Sequence, residues 1–526
     1  MATISLLVSV ALVAASCGSD GGGDTASEET QAVDEGSVVT TGGDTETDAS
    51  SDTAGATSIV IAIADEPSTL DPQATEDGNE RAVTDNIYET LLRRNSETNE
   101  LEPLLATDLP TQVDDTTWEF TLREGISFTN GEPFDAEAAA YSINRVMDPE
   151  YSSAQVDFYG GITGAEAVDA TTLRVLTSDL DPVFPARMYR LKMVPPVASA
   201  EAAFTENPVG TGPYTMVEWK RGEEVVLTAN PDYWGEAPAV TDARIRFIPQ
   251  SGTRVAGLQT GEIQLATLIP PEQASDSPKT LSREGIEFPV YRLKNYEGIL
   301  QDPRVRQAMN YAVDKDAIAD DLFSGFATVA TCQPLTPAHF GYNPDLEAYP
   351  YDPDRARALL EEAGYDGEPV SLLGATGRWL KDTEMHEVVI AYLTDVGFNI
   401  EPDIRPFSSY IEEFVKTVGD VQPDVGFVSA SNELFDASKI ESYYLSTGGL
   451  SSFVNDDVDA ALDAARADPD PASREASFHE ALSFGCLDDP VFIFTVNLQD
   501  IYGAVEELNW EPRSDGSLYI PEMSLG

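Results

Sequence analysis

The sequence predicts an α/β protein of two or three lobes, preceded by an apolar leader and a polar tether. Short apolar runs typical of strands, such as Ser58–Ile63 and Tyr214–Trp219, alternate with segments of helical spacing. Roughly 470 of the 526 residues follow the tether, which is too many for one hydrophobic core. The hydrophobic fraction of 42% is typical of a soluble globular protein.

The first residues predict an export signal. Leu6–Val13 is an apolar run of signal-peptide length, too short to cross a bilayer as a helix. Small residues then precede Cys17, an arrangement that resembles the lipobox of bacterial lipoproteins, in which the cysteine is lipidated. No Lys or Arg precedes the run, which a start codon assigned too late would explain. The alternative is a buried helix with an ordinary cysteine.

Residues 18–57 predict a disordered acidic tether between membrane and domain. The segment consists mainly of Gly, Ser, Thr, Asp and Glu, with almost no large apolar residue. Such a composition cannot bury enough surface to offset the entropy of ordering the chain.

The formal net charge of −61 excludes a nucleic-acid-binding protein, which needs a basic surface. Two interpretations of the acidity stay open: a surface that faces cationic ligands, or solubility in a saline habitat. The second is favoured, because the acids are spread along the whole chain.

The cysteines and histidines predict a disulfide and no metal site. With Cys17 assigned to the lipid, Cys332 and Cys486 remain as an even pair, which suggests a disulfide in an exported protein, with two free thiols as the alternative. The three histidines lack ligand spacing and no C-x-x-C occurs, so we expect neither a metal nor another cofactor.

Residues 207–235, NPVGTGPYTMVEWKRGEEVVLTANPDYWG, are the most distinctive stretch of the chain. Gly210, Gly212 and Pro213 predict a tight turn, followed by a strand, a polar turn at 220–223 and a return strand. The stretch resembles the signature of extracellular solute-binding proteins of family 5, the peptide/nickel-binding capture subunits of ABC importers.

Further segments carry the same resemblance. Asp302–Ala312 (DPRVRQAMNYA) matches the family, and Asp302 as N-cap with Pro303 at the first helical position predicts where that helix begins. Asp352 and Pro353 show the same pair of N-cap aspartate and first-position proline. Val83–Leu92 has helical spacing and resembles the N-I-Y-E-x-L helix of the family.

The resemblance implies a type II periplasmic-binding-protein-like fold: two α/β lobes joined by a hinge, plus an inserted lobe (class C). Lobe I would comprise residues 58–90, 208–293 and 498–526, the inserted lobe II residues 91–207, and lobe III residues 294–497. Crossings near Lys294 and Asn497 would form the hinge, and the ligand would lie between lobes I and III.

The resemblance also implies ligand-binding residues in lobe III. Arg378 occupies the position of an arginine that binds a ligand carboxylate in this family, with Trp379 beside it. Asp436 is the nearest match to an aspartate that pairs with a peptide ammonium, and Glu433 is a rival. The structural alternatives are a surface arginine and a helix-capping aspartate.

The function implied is capture of a small solute, a di- or oligopeptide first, for delivery to a membrane permease and its ATPase. Sugars, opines and metal chelates remain open as ligands. The chain would be a monomer without catalytic residues, lipid-anchored to the outer face of the cell membrane or periplasmic. The alternatives are a secreted lipid-anchored hydrolase and a ligand sensor that does not serve transport.

Overall fold

A computed structural model describes residues 57–75 and 78–526 of the chain. The predicted signal peptide, Cys17 and almost all of the predicted tether lie outside these residues. The described residues form an α/β fold with three sheets of four or more strands and two small two-stranded sheets.

The largest sheet carries Ser58–Ile63 near its centre, parallel to both neighbours. Ile59 and Ile61 are fully buried there, as the apolar run predicts. In spatial order its strands are Lys279–Glu284, Val496–Ala504, Leu265–Ala266, Ser58–Ile63, Asp242–Phe247, Glu224–Ala229 and Tyr214–Lys220, and Ala327–Val329 also pairs with Val496–Ala504.

A five-stranded sheet is formed by the later part of the chain. Its strands, in spatial order, are Asn399–Pro406, Pro369–Thr376, Val425–Ser431, Glu287–Leu293 and Phe492–Phe494. The α-helices of this part of the chain are Pro303–Ala312, Lys315–Ala317, Pro353–Ala363, Asp382–Val396, Phe407–Phe414, Glu441–Tyr444, Asp456–Ala467 and Pro471–Ser483. The apolar helix faces and the sheet share two buried clusters.

The four-stranded sheet lies within residues 111–177. Its strands are Thr111–Asp114, Thr117–Thr121, Thr172–Thr177 and Ile162–Ala167, and the helix Ala136–Met147 packs on it. The remaining α-helices are Arg81–Ile87, Phe184–Arg187 and Ser251–Thr260, and the small sheets pair Leu92–Arg94 with Leu101–Pro103 and Leu508–Asn509 with Ser524–Leu525.

The predicted helix starts are confirmed. The Asp302 side chain accepts the backbone N–H of Arg304, and Pro303 is the first helical residue. Asp352 caps the helix Pro353–Ala363 in the same way, and Gly364 ends that helix with left-handed backbone at φ 75°. Local capping chemistry therefore determines these helix boundaries.

The helix expected over Val83–Leu92 is shorter than predicted, since it ends at Ile87. The carbonyl of Ile87 accepts the N–H of Gly212 at 2.8 Å, a contact made by the hairpin that follows much later in the chain. The backbone is extended at Tyr88, and Leu92–Arg94 forms a strand. A tertiary contact thus overrides the helical pattern.

The predicted hairpin is confirmed, with strands Tyr214–Lys220 and Glu224–Ala229. Its glycine-rich start lies directly against the helix end described above. A Cβ atom on Gly210 would be 2.0 Å from the Ile87 carbonyl oxygen, and one on Gly212 would be 2.6 Å from the same atom. Only glycine lets the two backbones approach so closely.

The chain passes directly from strand to strand between the large sheet and the five-stranded sheet at two short joints, and Ala327–Val329 makes a further link by pairing with Val496–Ala504. Residues 285–286 separate Lys279–Glu284 from Glu287–Leu293, and Thr495 alone separates Phe492–Phe494 from Val496–Ala504. The second change lies close to the crossing expected near Asn497, whereas the first comes before the one expected near Lys294, because Glu287–Leu293, assigned above to lobe I, is a strand of the five-stranded sheet. We retain the three-lobe division, with this shift, as a proposal.

A disulfide joins Cys332 to Cys486 across 154 residues, with a Cα–Cα distance of 5.4 Å. Both cysteines are fully buried in the larger apolar cluster on the five-stranded sheet. The bond therefore links two distant parts of the chain within this one sheet-and-helix layer.

Candidate functional site

Arg378 and Trp379 lie in the loop after the strand Pro369–Thr376. The Asp382 carboxylate fixes this loop, because it accepts the backbone N–H groups of Gly377, Arg378 and Trp379 at 3.2, 2.9 and 3.0 Å. Burial raises the pKa of Asp382, but these three N–H donors outweigh it and lower the pKa overall. The loop is thus held in one conformation without using the Arg378 side chain.

The Arg378 side chain is exposed, and its guanidinium carbon lies 5.6 Å from the centre of the Phe407 ring. Trp379 is half-buried, with its indole edge-on to Phe407, Tyr410 and Phe427 at 5.4–6.0 Å. The structure therefore brings the predicted cation and indole together on an aromatic surface. In the described part of the chain, the Arg378 guanidinium has no carboxylate within salt-bridge distance.

Asp436 is buried and bonded within the five-stranded-sheet region. Its two carboxylate oxygens accept from the Arg474 guanidinium at 2.6 and 2.8 Å. The carboxylate also accepts the backbone N–H of Ser438 and so caps a short 3₁₀ helix. The negative charge of Asp436 is therefore already balanced by Arg474.

Glu433 is half-buried in the loop between Val425–Ser431 and Asp436. Its carboxylate accepts a hydrogen bond from Ser431 Oγ, and its backbone carbonyl accepts from the Tyr189 hydroxyl. Burial raises the pKa of Glu433, but Lys439 and the Ser431 hydroxyl lower it, so the net shift is downward. Glu433 is thus a stable carboxylate, and no salt bridge of its own is formed among the described residues.

Two further acids near this loop, Glu287 and Asp500, escaped the sequence prediction. Glu287 begins one strand after a joint, and Asp500 lies within the strand after the other joint. Burial raises the pKa of Glu287 to about 7, with Asp500 adding to the shift, and burial raises the pKa of Asp500 to about 6. The two acids are more than 200 residues apart, so the only local signal was a single acid in each strand.

Two cavities border these residues. One, of about 520 Å³, lies between residues 157–187 and residues 433–474 and has Glu433 and Arg474 in its wall. The other, of about 280 Å³, lies beside the large sheet and has Asp500 in its wall. The first cavity lies between parts of the chain that carry different sheets, and such interfaces are preferred places for a small-molecule ligand.

The histidines of the described chain are bonded to neighbouring backbone or hydroxyl groups. His386 bridges the Tyr291 hydroxyl and the Ala375 carbonyl, and burial lowers its pKa. Within residues 57–75 and 78–526, no group of three or more His, Cys, Asp or Glu side chains could hold a metal ion. In the same residues, no helix is both long and apolar enough to cross a membrane.

The family description of bacterial extracellular solute-binding proteins, family 5, matches residues 100–451. This chain belongs to that family. A family 5 protein captures solutes outside the cytoplasm and works with an ABC permease. Membership of family 5 therefore makes this chain a solute-binding protein.

Relatives of this family 5 protein agree with that membership. It is 29% identical over 494 residues to Protein XP55 of Streptomyces lividans, covering 86% of this chain and 85% of that protein. It is 32% identical over 320 residues to the glutathione-binding protein GsiB of Shigella boydii serotype 4, covering 58% of this chain and 61% of GsiB. The alignment therefore spans less than two thirds of the GsiB length.

The fold of this family 5 protein is that of the type II periplasmic binding proteins. It superposes on HbpA2 from Haemophilus parasuis with a TM-score of 0.81 at 22% identity, covering 89% of this chain and 100% of HbpA2. The fold expected from the sequence is confirmed by this agreement.

Proposed function

We propose that this family 5 protein captures a short peptide or a similar zwitterion and carries out no reaction on it. The observation that carries the proposal is the distribution of charge around the joints. Arg378 provides an exposed positive charge. Glu287, Glu433 and Asp500 provide carboxylates. A zwitterion presents one carboxylate and at least one ammonium, which these groups complement.

Arg378 takes the ligand carboxylate, because a planar guanidinium can donate two parallel hydrogen bonds to it. Its loop is already fixed by Asp382, so ordering the backbone adds little cost on binding. Trp379 covers an apolar part of the ligand with the indole surface that the neighbouring rings leave open.

Glu433 is the better of the two predicted partners for a ligand ammonium. Asp436 is neutralised by Arg474, whereas the Glu433 carboxylate accepts a neutral hydroxyl and lies in the wall of the 520 Å³ cavity. Asp436 then supports the loop that presents Glu433. Similarity to a glutathione-binding protein supports a peptide-like ligand.

Absence of a reaction is supported by the state of the histidines. Both ring nitrogens of His386 are hydrogen-bonded, and none of His339, His386 and His479 lines either of the two cavities described above, where a general base would have to reach a substrate. We further propose that Cys17 carries a lipid that anchors the protein to the outer face of the cell membrane. Cys17→Ala should release the protein from the membrane fraction into the medium, and unchanged retention would reject the anchor.

The test of ligand capture combines mass spectrometry with calorimetry. The solute that co-purifies with the recombinant protein is identified, and its affinity is measured for wild type, Arg378→Ala and Arg405→Ala. Arg405 is a matched control, since it lies at the end of a neighbouring strand and pairs with Asp403. We expect a loss of roughly thirty-fold or more for Arg378→Ala alone. Wild-type affinity in Arg378→Ala would reject the carboxylate role.

A further inference from the structure

The loop at residues 432–436 follows a strand of the five-stranded sheet but packs into a different part of the molecule. Phe435 is buried in a cluster whose other buried members all lie between Leu91 and Met193, in the part of the chain that carries the four-stranded sheet. Ala437, two residues later, belongs to a buried cluster on the five-stranded sheet. The loop therefore bridges these two parts.

Arg94 contacts the loop from the four-stranded-sheet part. Its guanidinium carbon lies 4.6 Å from the ring centre of Phe435 and 4.6 Å from that of Tyr189. Nη2 donates to the Leu434 carbonyl at 2.5 Å, and Nη1 donates to the Asn99 carbonyl at 2.8 Å. The guanidinium thus joins its own segment to the loop by ring contacts and by charged hydrogen bonds.

Tyr189 and Asn99 add hydrogen bonds between the same two parts. The Tyr189 hydroxyl donates to the Glu433 carbonyl, and Asn99 Nδ2 donates to the Ala338 carbonyl at 3.0 Å. Arg94 and Tyr189 thus hold two successive carbonyls of the loop, which fixes the backbone that carries the Glu433 side chain.

The guanidinium of Arg94 makes this contact directional. Arg94 is 6% exposed, and within residues 57–75 and 78–526 no carboxylate lies within salt-bridge distance of it. A buried charge is costly unless hydrogen bonds compensate it, and a planar guanidinium donates only in fixed directions. Arg94 therefore fits the loop in one position, whereas an apolar side chain would pack in several.

The loop is also fixed on the five-stranded-sheet side. The His339 ring stacks on Phe435 at 5.1 Å, and the N–H of Phe340 donates to the Phe435 carbonyl at 2.9 Å. Phe435 has a φ of 53°, a left-handed conformation that a large side chain keeps only where neighbouring contacts determine it. The loop is thus a rigid insert that moves with the five-stranded sheet.

Chain connectivity does not hold the two parts together. Residues 91–207 are preceded and followed by segments of the large sheet, and the five-stranded sheet is reached from the large sheet through the joints at 285–286 and Thr495. The contacts with the loop can therefore separate when the sheets turn about the joints, as polar interfaces between domains commonly do. The 520 Å³ cavity, with Glu433 in its wall, lies between the same two parts.

We propose that Arg94 is a positioning residue for solute capture. Together with Tyr189 it forms a latch, which holds the 432–436 loop against the four-stranded-sheet part and keeps Glu433 in the wall of the closed cavity. The inference rests on the proposed role of Glu433 in ligand capture. Because the latch consists only of groups of this chain, it favours the closed arrangement with and without ligand, and it slows the escape of a bound solute.

The test measures the release of a probe peptide and the size of the ligand-free protein. The dissociation rate of alanyl-alanine is followed by stopped-flow tryptophan fluorescence, and the radius of gyration without peptide is measured by small-angle X-ray scattering. The proteins are wild type, Arg94→Met, Tyr189→Phe and Arg93→Met. Arg93 is the matched control, because it is half exposed and pairs with Glu102 across its own small sheet.

Arg94→Met should speed the release of the peptide about tenfold, because it removes a charged hydrogen bond and a ring contact across the latch. Tyr189→Phe keeps the ring and removes one hydroxyl, so release should be about threefold faster. Both variants should have a larger radius of gyration than wild type, and Arg93→Met should match wild type in both measurements. A merely structural role of Arg94 would lower Tm and leave the radius and the release rate of the folded protein unchanged.

Each outcome separates the latch from peptide capture. A wild-type radius of gyration in Arg94→Met and Tyr189→Phe overturns the latch and leaves peptide capture intact, and so does a wild-type release rate in both. If Arg94→Met does not fold, Tyr189→Phe decides by the same two measurements. If wild type does not bind alanyl-alanine, the peptide proposal fails and the radius alone decides: an increase in the variants upholds the latch, and no increase overturns it.

Discussion

Breaking the ion pair between Asp436 and Arg474 should destabilise the protein by a large and measurable amount. The two side chains are 9% and 5% exposed, and their bidentate contact has distances of 2.6 and 2.8 Å. Arg474→Met keeps a side chain of similar length against the rings of Phe340 and Phe478, over which the guanidinium lies at 4.9 and 4.8 Å. The substitution therefore removes the charge while it leaves most of the packing in place.

The expected cost follows from the buried charge that remains. Removing one partner of a buried ion pair costs about 3–5 kcal/mol, because the other charge stays in the interior without compensation. For a cooperative unit of roughly 200 residues, each kcal/mol lowers Tm by about 2–4 °C. Arg474→Met should thus lower Tm by roughly 6–20 °C.

The measurement is thermal and denaturant unfolding of wild type, Arg474→Met, Asp436→Asn and the double variant. Arg466→Met is the control, since this arginine is half exposed in its pair with Glu441 and should cost under about 1 kcal/mol. The double variant should be more stable than the sum of the single effects predicts, by about 2 kcal/mol or more. An Arg474→Met protein as stable as Arg466→Met would refute the reasoning.

Three further perturbations test the fold and its charges. Gly210→Ala should prevent soluble expression, because the added Cβ would be 2.0 Å from a backbone oxygen. Gly252→Ala is the control: this glycine lies in a helix, no atom is within 4 Å of the added Cβ, and the substitution should raise Tm in calorimetry. Cys332→Ser opens a loop of 154 residues and should lower the free energy of unfolding in urea by up to about 5 kcal/mol. Thiol labelling of the unfolded, unreduced wild type should find neither Cys332 nor Cys486 free. Asp500→Asn should raise Tm at pH 8 and leave it unchanged at pH 3. Burial raises the pKa of Asp500 to about 6 in the folded state, so the wild type loses stability as the pH rises from the unfolded pKa to that value. At pH 3 the carboxyl is protonated in both states and the substitution changes no charge. Equal shifts at both pH values would contradict the last prediction.

Local chemistry explains the parts of the structure that the sequence predicts well. Asp302 and Asp352 start helices because the cap, the proline and the first turn all lie within four residues. The hairpin at 214–229 follows from turn residues between two β-branched runs. The position of Arg378 beside Trp379 follows from their adjacency in the chain.

Contacts between distant segments explain what the sequence does not predict. The helix from Arg81 ends early because Gly212, more than a hundred residues later, occupies the Ile87 carbonyl. The role of Asp436 depends on Arg474, which lies 38 residues away on another helix. Glu287 and Asp500 belong to strands of two different sheets, so neither strand by itself indicates a site.

The two joints, residues 285–286 and Thr495, have a mechanical consequence. Links of one or two residues hold both strand ends almost without slack, so the sheets can turn about the line through the joints but can scarcely slide or twist apart. We therefore expect the motion to be mainly a rotation about that line, which a label-to-label distance across the joints would follow. Lengthening either joint by a few glycines would add independent motions, and one distance would no longer define the orientation of the sheets.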